Sequence, residues 1–167
     1  MNSLMKKVDL LYSWFLKAAN FLQSIFLLGI RVFWGWQFWQ AGHGKLANIA
    51  GTIENFKNMG VPAPAFNAHF IGLLEAGGGI LLILGLASRI IAIPMTINMI
   101  MAYLIADREA WGSFFSDSPE KFFSATPFPF LVTSILILLF GPGMFSLDTL
   151  IVWYRKKREK TSTVSGS

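Results

Sequence analysis

The feature that most constrains this chain is a set of four apolar stretches separated by short polar connections. A helix that crosses the hydrocarbon core of a bilayer needs about 20 apolar residues, and shorter helices are accommodated by local thinning. We therefore predict an all-α integral membrane four-helix bundle, forming a single domain over residues 1–167 with a polar tail at 155–167. The predicted spans are about Phe21–Ala41, His69–Ala87, Ile90–Ala106 and Phe128–Phe140, of which the last is the shortest.

The composition supports a membrane location and excludes several chemistries. Hydrophobic residues make up 54% of the chain and charged residues only 14%, whereas a soluble domain carries about 25% charge. The chain has no cysteine, which excludes disulfides, thiolate metal sites and cysteine nucleophiles within it. With only two histidines, a three-ligand zinc site would need carboxylates from distant segments.

The distribution of basic residues predicts how the chain sits in the membrane. Nine Lys and Arg residues fall on the side of the two termini and four on the opposite side. Positive charge accumulates on the cytoplasmic side of membrane proteins, so both termini of this multi-pass chain are expected to be cytoplasmic. Basic residues at the chain ends indicate a lipid bilayer as the anionic partner, and not nucleic acid. The nine are Lys6, Lys7, Lys17, Arg89, Arg155, Lys156, Lys157, Arg158 and Lys160; the four are Lys45, Lys57, Arg108 and Lys121.

Several connecting segments carry patterns of their own. Val8–Ala18 and Phe145–Tyr154 are typical of amphipathic helices that lie in the inner interface. Between the first two spans, an apolar stripe with helical spacing predicts a helix on the outer leaflet that ends at Gly60. The second and third spans are joined only by Ser88 and Arg89, which makes them antiparallel neighbours. The stripe consists of Leu46, Ile49, Ile53 and Phe56.

Three polar residues inside the predicted spans are the candidates for function. Arg31 lies near the middle of the first span, where an uncompensated charge costs about 3 kcal/mol on insertion scales. Glu75 is the acidic residue within the second span, and Asn98 lies in the third. Counting 1.5 Å per residue from the predicted span ends places all three in the outer leaflet. We therefore predict that Arg31 pairs with Glu75, and that the glycine run 77–79 forms a close-packing face.

Two interpretations of this polar trio stay open. It could be a buried salt bridge that only fixes which helices pack together. It could also bind a quinone or a similar amphipathic ligand, which needs a hydrogen-bond donor, an acceptor and apolar walls. In that case Arg31 would polarise a quinone carbonyl and Glu75 would exchange a proton, as the catalytic pair. Asn98 would orient the ring, and Trp34 would complete the binding site beside Arg31.

A second set of polar residues lies at the predicted outer ends of the spans. His43, His69 and Asp107 are expected at one level, where a metal could bind. Polar residues that cap span ends explain the same pattern more simply, so we predict no metal site.

A set of short motifs follows in a fixed order along most of the chain. In chain order they are Arg31, Gly35-Trp36, Gly42-His43-Gly44-Lys45-Leu46, Gly60-Val61-Pro62-Ala63-Pro64, Gly72-Leu73-Leu74-Glu75, Leu84-Gly85-Leu86, Arg89, Asn98-Met99, Gly141-Pro142-Gly143 and Ser146-Leu147-Asp148. This ordered set resembles the DoxX family of small four-span bacterial membrane proteins. Asp107 departs from the pattern, because the resemblance leads us to expect histidine there in many relatives.

The resemblance implies a redox-associated protein of the bacterial cytoplasmic (inner) membrane. The family includes a DoxD/DoxX-like subunit of thiosulfate:quinone oxidoreductase, so a membrane or peripheral redox partner is expected. Whether this chain is itself part of such an enzyme stays open, because it lacks the cysteine that sulfur transfer would use. Two alternatives remain: a non-catalytic assembly subunit of a membrane complex, and transport of a small solute or lipid by a homo-oligomer.

Overall fold

The structure is a computed structural model that describes residues 3–116 and 118–165, with side chains for residues 7–116 and 118–158. Residues 166–167 of the predicted polar tail and the side chains of Lys6 and Lys160 lie outside the described part. All regular secondary structure in the described ranges is α-helical, which confirms the predicted fold class. The helices are α1 (Ser3–Ala47), α2 (Ile49–Asn58), α3 (Pro64–Leu84), α4 (Ser88–Ile105), α5 (Arg108–Ser113), α6 (Glu120–Ser124), α7 (Pro127–Phe140) and α8 (Leu147–Ser165).

Three of the described helices are long and apolar enough to cross a membrane, namely α1, α3 and α4. The fourth predicted span corresponds to α7, which is apolar but only 14 residues long. The prediction of a separate interfacial helix at Val8–Ala18 is wrong, because α1 runs unbroken through that segment for 45 residues. Lys17 interrupts the run of apolar residues, but no glycine or proline occurs before Gly29 to end the helix.

The contact between α1 and α3 depends on glycine at the points where the two backbones meet. A Cβ atom on Gly79 would lie 2.6 Å from the Trp39 nitrogen, and one on Gly42 would lie 2.5 Å from the Gly72 carbonyl oxygen. Such close crossings are typical of helix pairs in membranes. In the glycine run 77–79, Gly78 packs on Met95 and Gly79 on α1, whereas Gly77 has open space beside it.

These crossings place α1 antiparallel to α3 in a register that differs from the predicted one. Gly35 lies against Ile83, and Gly72 lies against Leu46. The pairing therefore continues to the end of α1 at Ala47, six residues beyond the predicted span end at Ala41. As a result, Arg31 lies at the level where α3 ends, and we call this end of the bundle the Arg31 end.

The connections on either side of α3 are compact. The predicted helix between the first two spans is confirmed as α2, and the Asn48 side chain caps it by accepting a hydrogen bond from the Gly51 nitrogen at 3.3 Å. At the other end of α3, Gly85 has a φ of +69°, which ends the helix. Residues 85–87 then turn the chain into α4 at the Arg31 end.

Candidate functional site

Arg31 is buried, with 1% of its surface exposed, and its guanidinium group is held by backbone carbonyl groups. Nε donates to the Leu82 oxygen at 2.9 Å, and Nη2 donates to the Ile83 oxygen at 3.2 Å. Nη2 also donates to the Phe145 oxygen at 3.0 Å, and Nη1 donates to the Pro142 oxygen. We call Arg31 and these four carbonyl groups the Arg31 cluster.

At several helix ends, backbone groups form hydrogen bonds with charged side chains from distant parts of the sequence, and the Arg31 cluster is one example. The last turn of α3 leaves the Ile83 carbonyl group without an intrahelical partner, and Arg31 supplies a donor to it. The Leu82 oxygen accepts both from Arg31 and from the Gly85 nitrogen, the latter at 3.1 Å. The Asp148 carboxylate accepts hydrogen bonds from the Ala87 and Ser88 nitrogens at 2.8 and 3.1 Å, which caps the start of α4. Arg89 donates to the Leu139 oxygen at 3.3 Å in the last turn of α7. Backbone groups at packed helix ends need partners of this kind.

The predicted pairing of Arg31 with Glu75 is wrong. The acceptors of the Arg31 guanidinium are the four carbonyl oxygens, while the Glu75 carboxylate binds other side chains. The error has a geometric cause, since the span of α1 was placed six residues too early. Six residues correspond to about 9 Å along a helix. The predicted spans therefore placed Arg31 and Glu75 at a similar depth in the membrane.

Glu75 lies in the middle of α3 and is 4% exposed. Its Oε2 atom lies 2.5 Å from Nζ of Lys45, in the last turn of α1. Its Oε1 atom accepts a hydrogen bond from Nδ2 of Asn98, on α4, at 3.0 Å. We call Lys45, Glu75 and Asn98 the Glu75 cluster. Lys45–Glu75 is the single ion pair among the described side chains.

The surroundings of the Glu75 cluster are apolar and tightly packed on one side and more open on the other. One turn from Glu75 towards the Arg31 end, Gly78 packs against the Met95 sulfur. One turn in the other direction, Gly72 accommodates the Leu46 side chain. The Lys45 side chain is 28% exposed, so the cluster is reached from the Lys45 side. A buried carboxylate with two donors and one accessible cation can exchange both hydrogen bonds and a proton with a polar ligand.

Trp34 lies apart from the Glu75 cluster. Its ring makes edge-to-face contacts with Phe33, at 5.0 Å between centroids, and with Phe130 of α7, at 5.3 Å. The structure thus unites two of the four predicted binding residues, Glu75 and Asn98. Arg31 and Trp34 are engaged elsewhere.

The two histidines are both exposed and occupy separate environments. His43 stacks on Trp39 at 5.2 Å, and Nδ1 of His69 lies 2.8 Å from the Ala65 oxygen. Among the side chains that the structure describes, no three His, Asp or Glu residues are placed to hold a metal ion.

Sequence reasoning missed Lys45 because the predicted first span ends at Ala41, which places Lys45 outside the membrane. The helical phase could have identified it, since Arg31, Phe38 and Lys45 follow one another at intervals of seven residues. Residues at that spacing lie on one face of a helix that packs in a bundle. The face of α1 that contacts α3 therefore extends through Gly42 to Lys45.

Comparisons with known proteins agree with the fold. A family model described as DoxX matches residues 26–108. A Bacillus subtilis protein named "Putative oxidoreductase CatD" is 30% identical over 138 residues, covering 81% of this chain and 91% of its own length. The inner membrane protein YqjF of Escherichia coli is 28% identical over 131 residues, covering 78% and 95%.

A further relative is named only as an uncharacterized membrane protein of Mycobacterium tuberculosis. It is 34% identical over 100 residues, covering 56% of this chain and 60% of its own length. No solved structure matches the chain.

Proposed function

Because the chain belongs to the DoxX family of membrane proteins, we propose that it is a redox-associated protein that binds a quinone at the Glu75 cluster. The names of two relatives support the class and the location, one as an oxidoreductase and one as an inner membrane protein. The excess of Lys and Arg on the side of the termini supports cytoplasmic ends. We therefore propose a bacterial inner membrane protein with both termini in the cytoplasm.

The observation that carries the proposal is the chemistry of the Glu75 cluster. α1, α3 and α4 each contribute one polar side chain to a region of otherwise apolar packing. A quinone head group has two carbonyl oxygens that accept hydrogen bonds, and its reduced form has hydroxyl groups that donate them. Lys45 and Asn98 are the matching donors, and the Glu75 carboxylate is the matching acceptor.

Each residue of the cluster has a distinct role in this proposal. Lys45 donates a hydrogen bond to one ring oxygen, which is the role predicted for Arg31. Asn98 orients the ring through its amide, and Glu75 accepts a hydroxyl proton when the reduced form is oxidised. A bound quinone would supply the capacity to carry two electrons and two protons. On oxidation of its reduced form, one proton would go to Glu75 and the other to solvent on the partly exposed Lys45 side. A membrane or peripheral partner protein would exchange those electrons.

Equilibrium binding of a short-chain benzoquinone to the full chain in lipid nanodiscs tests the proposal. We expect saturable binding that Glu75→Gln and Lys45→Met each weaken by about tenfold, as expected for loss of a hydrogen bond to a charged group. Glu54→Gln and Lys57→Met are the matched controls, because both residues are exposed on α2. Absence of saturable binding, or equal weakening by the controls, would contradict the proposal.

One observation favours a second candidate, the non-catalytic assembly subunit. Both Glu75 oxygens already have partners within the fold, so the cluster is complete without a ligand. If it only fixes the helix register, the double variant Lys45→Met/Glu75→Gln should be more stable than either single variant. The wild-type protein should then bind no quinone and copurify with a protein partner.

A further inference from the structure

A groove of about 470 Å³ opens at the Arg31 end, on the opposite side of the guanidinium from the Glu75 cluster. It lies between α1, the start of α4 and the loop that joins α7 to α8. Its polar lining comes from Asn20, Gln23 and Arg89, which are all exposed, and its apolar lining includes Leu27 and Phe140. The groove is thus accessible and amphipathic.

The electrostatics of this groove favour an anion. Arg89 is the one ionisable residue in its lining. Asp148, the acidic residue near this end, is committed to the Ala87 and Ser88 nitrogens. A second groove of about 390 Å³, beyond the far end of α4, provides a contrast, because there Arg108 stands beside Asp107 and Glu109. The residues that line the first groove carry a net positive charge, and those that line the second do not.

Several hydrogen-bond donors in the Arg89 groove are unused. A guanidinium group has five N–H donors, and Arg89 makes one hydrogen bond, from Nη2 to the Leu139 oxygen. The side-chain amides of Asn20 and Gln23 make none with any described residue. These two lie three residues apart on one face of α1, so both point into the groove. A phosphate group could accept from all three side chains.

The groove also changes from polar to apolar along α1. Leu27 lies about 10 Å nearer the middle of the bundle than Asn20, as seven helical residues require. Arg89 lies in the first turn of α4, a helix long enough to span the membrane, and is therefore at headgroup level. We infer that this groove binds an anionic phospholipid, with its phosphate on Arg89, Asn20 and Gln23 and an acyl chain along Leu27 and Phe140.

Native mass spectrometry of the full chain in detergent, with equal amounts of phosphatidylglycerol and phosphatidylcholine of the same acyl chains, tests the inference. We expect preferential retention of phosphatidylglycerol, and Arg89→Gln should reduce that preference about tenfold. The double variant Asn20→Ala/Gln23→Ala should reduce the retention of phosphatidylglycerol about threefold, since the two amides bind the phosphate group that both lipids share. Those two amides have no partner in the fold, so the double variant should not affect folding. It therefore tests lipid binding even if loss of Arg89 destabilises α7.

Arg108→Gln is the matched control, since Arg108 is also an exposed arginine that donates to a carbonyl oxygen, that of Leu104 at 2.9 Å. It should leave the lipid preference unchanged. Unchanged retention of phosphatidylglycerol in the double variant, or a loss of preference in the control equal to that in Arg89→Gln, would overturn the inference. Excess glycerol 3-phosphate should not displace the lipid. Displacement would indicate a site for a soluble phosphate compound and would contradict a lipid site.

Discussion

Two charged side chains are buried in the part of the chain that the structure describes, and their surroundings are of different kinds. Arg31 is 1% exposed and is bound by four backbone carbonyl groups, whereas Glu75 is 4% exposed and is bound by two side chains. Carbonyl groups at helix ends neither titrate nor leave their positions. A lysine and an asparagine can exchange one partner for another. This difference is the basis for assigning a structural role to Arg31 and for proposing a ligand-binding role for Glu75.

The energetic consequences of removing each charge differ for the same reason. Loss of Arg31 would leave several carbonyl groups without a donor at the packed contact between α1, the end of α3 and the loop after α7, and each buried one costs about 1–3 kcal/mol. Loss of the Glu75 charge would leave Lys45, which is 28% exposed and can extend its ammonium group towards water. We therefore expect stability to depend far more on Arg31 than on Glu75.

The largest effect is expected for Arg31→Met, which removes all the hydrogen bonds of the Arg31 cluster. It should lower the free energy of unfolding by about 3 kcal/mol or more, measured by titrating the detergent-solubilised protein with a denaturing detergent. Arg155→Met, at an exposed arginine of α8, is the control and should change it little. A loss below about 1 kcal/mol at Arg31 would remove the distinction between the two clusters.

The α1–α3 crossing keeps the two clusters at their separate levels, so a glycine there is the next test. Gly79→Ala would force a Cβ atom to within 2.6 Å of the Trp39 backbone nitrogen. We expect a loss of about 1–3 kcal/mol in the same denaturation assay. Gly77→Ala changes the same residue type two positions away in open space, and it should have no effect or a small stabilising one. Equal changes in unfolding free energy at the two positions would mean that α1 and α3 are not in close contact at Gly79.

A smaller effect is expected at the cap of α4. Asp148→Ala would remove the acceptor of the Ala87 and Ser88 nitrogens and should lower the unfolding free energy by about 1 kcal/mol. Asp9→Ala, at an exposed aspartate of α1, is the matched control. An equal loss of unfolding free energy in Asp148→Ala and Arg31→Met would contradict this account. It would mean that the charges at the Arg31 end stabilise the fold more than the hydrogen bonds to carbonyl groups do.

The smallest effect should be that of Glu75→Gln. The new side-chain oxygen can still accept from Asn98, and Lys45 can move towards solvent, so we expect a loss below about 1 kcal/mol. The measurement is again the unfolding free energy, with Glu54→Gln as control. A loss as large as that of Arg31→Met would show that Glu75 is mainly structural.

The sequence was sufficient for the helical class but not for the helix register. The predicted bounds are close for α4, which runs over Ser88–Ile105. α3 begins at Pro64, five residues before the predicted start at His69, and ends before Gly85. α1 offers no such limits, since it is apolar on both sides of Lys17 and continues through Gly42 and Gly44 to Ala47. Hydropathy locates the apolar residues, but which of them face α3 is decided by the glycine crossings.

Part of the candidate site could also be predicted from the sequence. Glu75 and Asn98 were identified because acidic and amide side chains are conspicuous inside apolar spans, and the structure joins them. The partners of Arg31 could not be identified, because backbone carbonyl groups have no signature in the sequence. Lys45 was overlooked because a lysine after two glycines is typical of a loop, whereas here Gly42 permits the close approach that brings Lys45 to Glu75.

Double-mutant cycles with Glu75→Gln test the central claim most directly, since they measure which buried cation is the partner of Glu75. Combined with Lys45→Met, we predict a coupling free energy of unfolding of about 1 kcal/mol or more. Combined with Arg31→Lys, we predict additivity within about 0.5 kcal/mol, as for residues that share no contact. Strong coupling of Glu75 to Arg31, with none to Lys45, would contradict the account.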